Sequence, residues 1–347
     1  MSNKKILAFR LSALGDVAMT VPVLWAMSKE YPDVSITFVS KGFAGPLVKD
    51  LHNVTFFRVD DKGRHSGFIG ILRLYADLKR LGSWDGIADL HDVLRSKIVR
   101  CLFSISGSKV SVIDKGRKGK KALTRKRNKK LVPLKHSVIR YSDVFKSLGY
   151  PLNGVEKYKP NLLVNPDLLK YSDIIPSPKN GHWIGIAPFA KHKGKMYPIH
   201  LMQKVIDDLA SLDSVVILLF GGRGEEQDKL EQLAKGKKNI YSVAGVLKLD
   251  QELEVMSNLD LMITMDSANM HLATLSGIPV ISVWGATHPF AGFYGWQQDP
   301  NNAIQVDLYC RPCSVYGNKP CYRGDYACLN WIEPSDISQR VLKILDV

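Results

Sequence analysis

Three features of the sequence predict an α/β protein made of two doubly wound, parallel-sheet domains. Short apolar runs rich in β-branched residues alternate with helix-length segments in both halves of the chain, the rhythm of parallel sheets covered by helices on both faces. A cluster of Pro, Ser, Asn and Gly at residues 171–181 interrupts that rhythm once. The chain has 347 residues, more than one hydrophobic core commonly organises, so two domains are the natural division.

In the first half, residues 5–9 read as a short apolar strand, 17–30 as a helix and 35–40 as a strand. Residues 54–59 form the next strand, 68–81 a helix and 86–89 a short strand, with a helix near 93–103 and another at 139–148. In the second half, 183–187 is a strand, 199–210 a helix, 215–220 a strand ending in Gly221-Gly222, and 225–234 a helix. A strand at 240–242 and a helix at 251–257 lead into a strand at 261–265, a helical segment carrying His271 and an apolar run from Ile278. Residues 334–345 close the chain as a helix with Ser335 as its cap. The expected division is a first domain at 1–172, a linker at 173–181, a second domain at 182–332 and a terminal helix within 333–347. Two such domains facing a cleft would hold ligands at the carboxyl ends of their strands.

Composition narrows the class. The chain is 45% hydrophobic and 23% charged, as in a globular protein, and no apolar run reaches the roughly 18–20 residues that span a bilayer. The N-terminal apolar stretch is too short for a signal-peptide core, so a cytoplasmic protein is expected. The net charge of +15 has one main source: residues 115–130 (KGRKGKKALTRKRNKK) hold ten basic and no acidic residues, leaving +5 for the remainder. That segment reads as a loop that could meet an anionic surface or remain solvated. No aromatic residues interleave with it, which argues against nucleic acid.

Cys101 lies in an apolar segment and reads as core. Cys310, Cys313, Cys321 and Cys328 fall within nineteen residues. They fit either a reduced thiol cluster that orders a loop or, less well, a structural zinc site, because a second C-x-x-C is missing.

Four strand-to-helix turns carry chemistry. In RLSALGD (Arg10–Asp16), the carboxylate of Asp16 opens a helix beside unpaired N–H groups that favour its charged form. It could be a general base or only a helix cap. In APFAKHKGKMYP, Lys191, His192, Lys193 and Lys195 surround a glycine, as suits a diphosphate. In FGGRGEE, glycines let a ligand approach the backbone and Glu225 could grip ribose hydroxyls. In MDSANMHLA, Asp266 can orient a turn whose N–H groups and helix N-terminus suit a phosphate, with His271 four residues beyond Ser267. Taken alone, this last stretch also fits an ordinary βαβ unit with a capping Asp and a buried His.

Taken together and in order, these stretches and the cysteine-bearing tail (CRPC…C…C) resemble the bacterial heptosyltransferases, glycosyltransferase family nine. The resemblance implies a GT-B fold, with Asp16 as catalytic base and a donor sugar nucleotide held mainly by the second domain. Lys195 would contact the donor phosphates, Glu225 the ribose and Asp266 the sugar, while Ser267, Ala268, Asn269 and His271 would form the diphosphate turn. The final helix would pack back toward the first domain. Two motifs depart from the family pattern: Ser267-Ala268 replaces Thr-Gly, and Tyr197 stands where Trp is common. The basic insert does not align with it.

The reaction so implied is inverting transfer of heptose from ADP-heptose to the Kdo region of a lipopolysaccharide or lipooligosaccharide inner core. Asp16 deprotonates the acceptor, and Lys195 with backbone N–H groups meets the leaving diphosphate. No D-x-D triplet occurs, so neither metal ion nor cofactor is expected. Arg64, His65, Lys120 and Arg125 are candidate contacts to the anionic glycolipid acceptor. The enzyme would be a monomer, peripheral to the inner membrane on its cytoplasmic face. A sugar-nucleotide epimerase or hydrolase on the same architecture and a basic nucleic-acid-binding protein are the competing readings.

Overall fold

The computed structural model describes residues 4–158 and 167–346. It divides into two compact units, the first formed by Met1–Gly116 with Lys135–Lys159, the second by Arg117–Leu134 with Pro160–Val347. The basic strap 117–134 therefore groups with the second unit, not with the expected first domain of 1–172.

In chain order, the elements up to residue 148 are β1 (Lys4–Phe9), α1 (Leu14–Ala18), α2 (Val21–Glu30), β2 (Val34–Lys41), α3 (Gly45–Val48), β3 (Val54–Val59), α4 (Gly67–Arg80), β4 (Gly86–Asp89), α5 (Leu94–Ile105), β5 (Lys109–Val112), α6 (Arg117–Thr124) and α7 (Ser137–Leu148). All of them except α6 belong to the first unit. Its five strands are parallel in the order β3-β2-β1-β4-β5, with Ala8 opposite Phe38 on one side and Ala88 on the other. The chain reverses its direction of travel across the sheet between β1 and β4, the position where doubly wound sheets open a crevice. Leu7, Phe9, Val39, Ile87, Leu74 and Phe103 pack one face of the sheet against α4 and α5. The amphipathic α4 contributes Gly70, Ile71, Leu74 and Leu78 at helical spacing.

Two expectations change here. The helix at 17–30 is two helices, because Pro22 lacks the N–H that a continuous helix needs and is suited to the first turn of α2. Cys101 is exposed rather than core: Val99 and Phe103 are buried on one face of α5, and Cys101 falls on the other.

The second unit adds β6 (His182–Ala187), α8 (Ile199–Ala210), β7 (Val215–Leu219), α9 (Glu225–Ala234), β8 (Ile240–Ser242), α10 (Leu249–Met256), β9 (Leu261–Met265), α11 (Ala268–Leu275), β10 (Val280–Val283), β11 (Ala303–Ile304), α12 (Ala327–Asn330) and α13 (Pro334–Leu345). Its strands run parallel in the order β11-β10-β9-β6-β7-β8, so the crossover lies between β6 and β9. Every residue of β9 and β10 is buried, which is why both read as unbroken apolar runs. Ile186, Ile217, Ile263, Ile281, Val205 and Val341 share one core.

The terminal helix α13 belongs to the second unit. It packs on α8, burying Ile337 and Val341 in the second core. The expected linker 173–181 is anchored in this unit through Lys179, which bonds Asn258 O at 2.8 Å, and just before it the buried Tyr171 donates to Glu254 Oε2 at 2.5 Å. Among the described residues, no helix is long and apolar enough to cross a membrane.

Candidate active site

In the first unit the sequence-predicted base sits at the crossover. Arg10 and Leu11 follow β1, while Leu90 and His91 follow β4. The buried Arg10 guanidinium donates from Nη1 to Leu90 O at 2.8 Å and pairs through Nη2 with Asp16 Oδ2 at 2.7 Å. Asp16, within α1, also accepts the Ala13 N–H at 3.2 Å on that same oxygen. The carboxylate is thus both a cap and an ion-pair partner, and Oδ1 carries no hydrogen bond among the described residues. The Asp16 side chain is 37% exposed.

His91 supports this arrangement, and nothing in the sequence singles it out. Its Nδ1 accepts the Leu11 N–H at 3.3 Å, which leaves Nε2 carrying the proton, 3.5 Å from Ser12 Oγ. Burial, reinforced by the Arg10 and Lys115 charges, pushes its pKa down to about 4, so the imidazole is neutral at pH 7. Beneath it the buried Asp89 accepts the His91 and Asp92 N–H groups at 2.9 and 2.7 Å and pairs with Arg100. The one signal for this turn is the run DLHD after a strand.

Arg64 and His65 act on their own turn. Both contact Asp77 of α4: Arg64 in a fork at 2.6 and 2.7 Å, and His65 Nε2 at 3.1 Å. The Arg64 guanidinium, assisted by His65, holds the Asp77 carboxyl well below the usual carboxylate range. His65 is buried with its Nδ1 on the Asp60 N–H at 3.0 Å, so neither ring nitrogen is left for an acceptor.

In the second unit, the turns after β6 and β9 meet. Lys195 Nζ lies 3.0 Å from Asp266 Oδ2, and both side chains are largely buried. Backbone contacts fix the lysine: Gly194 O accepts the Ala286 N–H at 2.8 Å. A Cβ on Gly285 would sit 2.6 Å from Gly194 O, so the turns after β6 and β10 touch only because that residue is glycine. Ser267 is extended at the cap of α11, its hydroxyl 3.1 Å from Thr264 Oγ1. The following first-turn N–H groups, including those of Ala268 and Asn269, have no intrahelical acceptor. Their residues are half-buried, and His271 is buried on the same helix.

After β7, the two glutamates divide the work. Glu226 Oε2 accepts the Gly222 N–H at 2.8 Å and holds the glycine turn. The Glu225 side chain is 84% exposed, paired with Lys229 at 2.6 Å. Both line a cavity of about 670 Å³, with Phe189, Lys193 and Tyr326 on its other walls. Glu226 and Tyr326 are not expected from the sequence.

Lys120 and Arg125 lie in the second unit, not in the expected acceptor domain. Lys120 Nζ sits 4.6 Å from the centre of the Phe293 ring, and Arg125 bonds Asn128 O. All five cysteines are free thiols, and burial pushes Cys328 up to about 12. Among the described residues no three His, Cys, Asp or Glu side chains are placed to hold a metal ion.

Residues 71–321 match the family model described as glycosyltransferase family 9 (heptosyltransferase), a span that holds Lys195, Glu225, Glu226, Asp266 and His271 but begins after Asp16 and ends before Tyr326. The lipopolysaccharide core heptosyltransferase OpsX of Haemophilus influenzae is 26% identical over 296 residues, covering 82% of this chain and 80% of that protein. Among solved structures, a family 9 glycosyl transferase from Veillonella parvula superposes with a TM-score of 0.77 at 19% identity, covering 99% of this chain and 98% of that one. The ADP-heptose lps heptosyltransferase II of E. coli superposes at 0.68 and 18% identity, covering 98% of each chain. These neighbours share the two-sheet α/β architecture of the GT-B fold. The chain belongs to glycosyltransferase family 9 and is a glycosyltransferase.

Proposed function

We propose that this enzyme moves a heptose from ADP-heptose to the Kdo region of a lipopolysaccharide or lipooligosaccharide inner core, with inversion at the anomeric carbon. The observation that carries the reading is the pairing of Lys195 with Asp266 beside the first turn of α11. A cation and unpaired backbone N–H groups there meet the charge that develops on a departing diphosphate. The 670 Å³ cavity flanked by Glu225 and Glu226 suits the nucleoside, with Glu225 toward the ribose hydroxyls. Asp266 orients Lys195 and faces the sugar.

In the acceptor half of the reaction, Asp16 Oδ1 takes the proton of the attacking hydroxyl. Arg10 holds that carboxylate in one rotamer, and the neutral His91 adds no second positive charge to the turn. The acceptor oxygen then attacks the anomeric carbon opposite the diphosphate, and ADP leaves. On this reading the enzyme needs neither metal ion nor cofactor. It works as a monomer at the cytoplasmic face of the inner membrane and binds no nucleic acid.

Release of ADP from ADP-heptose, measured with and without a de-acylated Kdo-lipid acceptor in excess EDTA, tests the proposal. Acceptor-dependent release that survives EDTA and falls by roughly 10²–10⁴ in Asp16→Ala is expected. Release without acceptor would favour hydrolase or epimerase chemistry, and loss of release in EDTA would restore a role for metal.

A further inference from the structure

The strap 117–134 and the cysteine-bearing tail enclose a pocket of about 350 Å³ within the second unit. Arg125, Lys126, Lys129 and Lys319 line it together with the hydroxyl-bearing Thr124 and Tyr322, and no Asp or Glu does. We propose that this pocket is a second anion site that takes a phosphate ester, carried by the acceptor glycolipid if the heptosyl-transfer reading holds.

The strap is not a solvated loop. Leu123 is fully buried, and the Leu134 N–H bonds Phe290 O at 2.9 Å. Lys129 Nζ bonds the carbonyls of Tyr309 and Cys310, and Lys126 Nζ stands 5.1 Å from the centre of the Tyr322 ring. These contacts hold the basic side chains against a tail nearly two hundred residues further along the chain, which contributes Lys319 to the same wall. Every partner so far is neutral. Among the described residues none of the four cations pairs with a carboxylate, whereas Arg10, Arg64, Arg100, Arg140 and Lys195 each do. Four like charges around one small pocket repel one another. An arrangement that locks them in place against that repulsion is expected where an anion completes it.

The charge count favours a phosphate ester over a single carboxylate, since the former carries about −1.5 to −2 at neutral pH. Lysine heads bind such groups as point charges and hydroxyls add donors. The donor diphosphate is assigned to Lys195, which is not part of this pocket. Lys129 is the innermost cation, and burial, with the Arg311 charge behind it, lowers its pKa. A bound anion would therefore raise it.

The test compares the wild type with the double variant Lys126→Gln/Lys319→Gln. Both side chains are exposed and neither forms an ion pair, so the fold should survive, as circular dichroism and melting would verify. With the donor site saturated by ADP, inorganic phosphate is titrated into each protein by calorimetry. Binding weakened roughly tenfold in the variant supports the pocket, and equal binding overturns it. This arm decides the pocket even if no acceptor is turned over, an outcome that would instead sink the heptosyl-transfer reading.

With a working acceptor, removal of its phosphate esters by phosphatase should raise its KM roughly tenfold for the wild type but less than about twofold for the variant, with the donor KM unchanged. An equal rise in both proteins would overturn the assignment. Sedimentation with vesicles of phosphatidylglycerol in phosphatidylcholine separates a lipid headgroup from the acceptor. Vesicle binding lost in the variant, with phosphate discrimination intact, would move the cations to the membrane surface and refute the proposal.

Discussion

Arg10 and Asp16 meet on a single oxygen: Asp16 Oδ2 takes the Arg10 Nη2 contact at 2.7 Å and the Ala13 N–H at 3.2 Å, which on the proposed mechanism leaves Oδ1 as the base. Replacing Arg10 by Met should therefore affect the chemical step more than donor binding. A fall in kcat of roughly 10–100-fold with the donor KM within about twofold is expected. The stability loss should be only about 1–2 kcal/mol, since the carboxylate is partly exposed. Steady-state kinetics and a urea melt check both parts, and a change confined to the donor KM would contradict the assignment.

The buried imidazole of His91 makes stability fall on the acid side. Its pKa of about 4 lies below the ordinary value near 6.5, so between those limits the unfolded chain binds one more proton than the folded one. Stability then rises with pH through the window from about 4 to 6.5 and is flat above it. His91 contributes up to roughly 3 kcal/mol to that slope. In His91→Asn, whose side-chain oxygen can still accept the Leu11 N–H, urea midpoints measured from pH 4 to 7 should show a shallower slope. His288, also pushed down to about 4 by burial, should keep part of the slope in place.

Gly285→Ala sets a methyl group against Gly194 O and Leu329. Relief requires the turn carrying Lys195 to shift. The expected outcome is a loss of about 1–3 kcal/mol in stability together with a raised donor KM, read by thermal melting and initial rates. A variant with wild-type values for both would show that the two turns do not depend on this contact.

Glu225 and Glu226 are adjacent in sequence but should separate cleanly under mutation. Removing Glu226 frees the Gly222 N–H that it holds at 2.8 Å and should cost about 1 kcal/mol. Glu225→Ala removes an exposed side chain and should leave the melting temperature nearly unchanged, while raising the donor KM. The opposite pattern would exchange their roles.

The parts of the fold legible in the sequence are those where burial writes itself into apolar pattern. Residues 261–265 and 199–210 read correctly because the first is wholly buried and the second buries Met202, Val205, Ile206 and Leu209 on one face. β5 escapes notice because only Ser111 of its four residues is buried, leaving no apolar signal. The two-residue β11 is too short to give one. Cys101 misleads because its neighbours are apolar, although helical spacing puts Val99 and Phe103 on the opposite face.

The strap misleads for an electrostatic reason: ten cations dominate the basic run 115–130 and hide the single buried Leu123 that fastens it. Within the candidate site, Asp16, Lys195, Glu225 and Asp266 are visible because each follows a strand. Arg10 and His91 are not, because the bonds Arg10–Leu90 and Leu11–His91 join turns 80 residues apart and leave no spacing rule in the chain.

The path of the backbone between the two units makes the coding sequence less modular than its two sheets suggest. The chain crosses from one unit to the other after Gly116, Leu134 and Lys159. A single cut cannot separate them. A chimera that exchanges the second unit with that of a relative must carry two inserts, one of them only eighteen residues long. A fragment begun near residue 160 would present the underside of its cysteine tail bare, with the residues that cover it left behind on the N-terminal piece. Recombination among such genes would thus be expected to succeed with paired breakpoints flanking the strap and to fail with one.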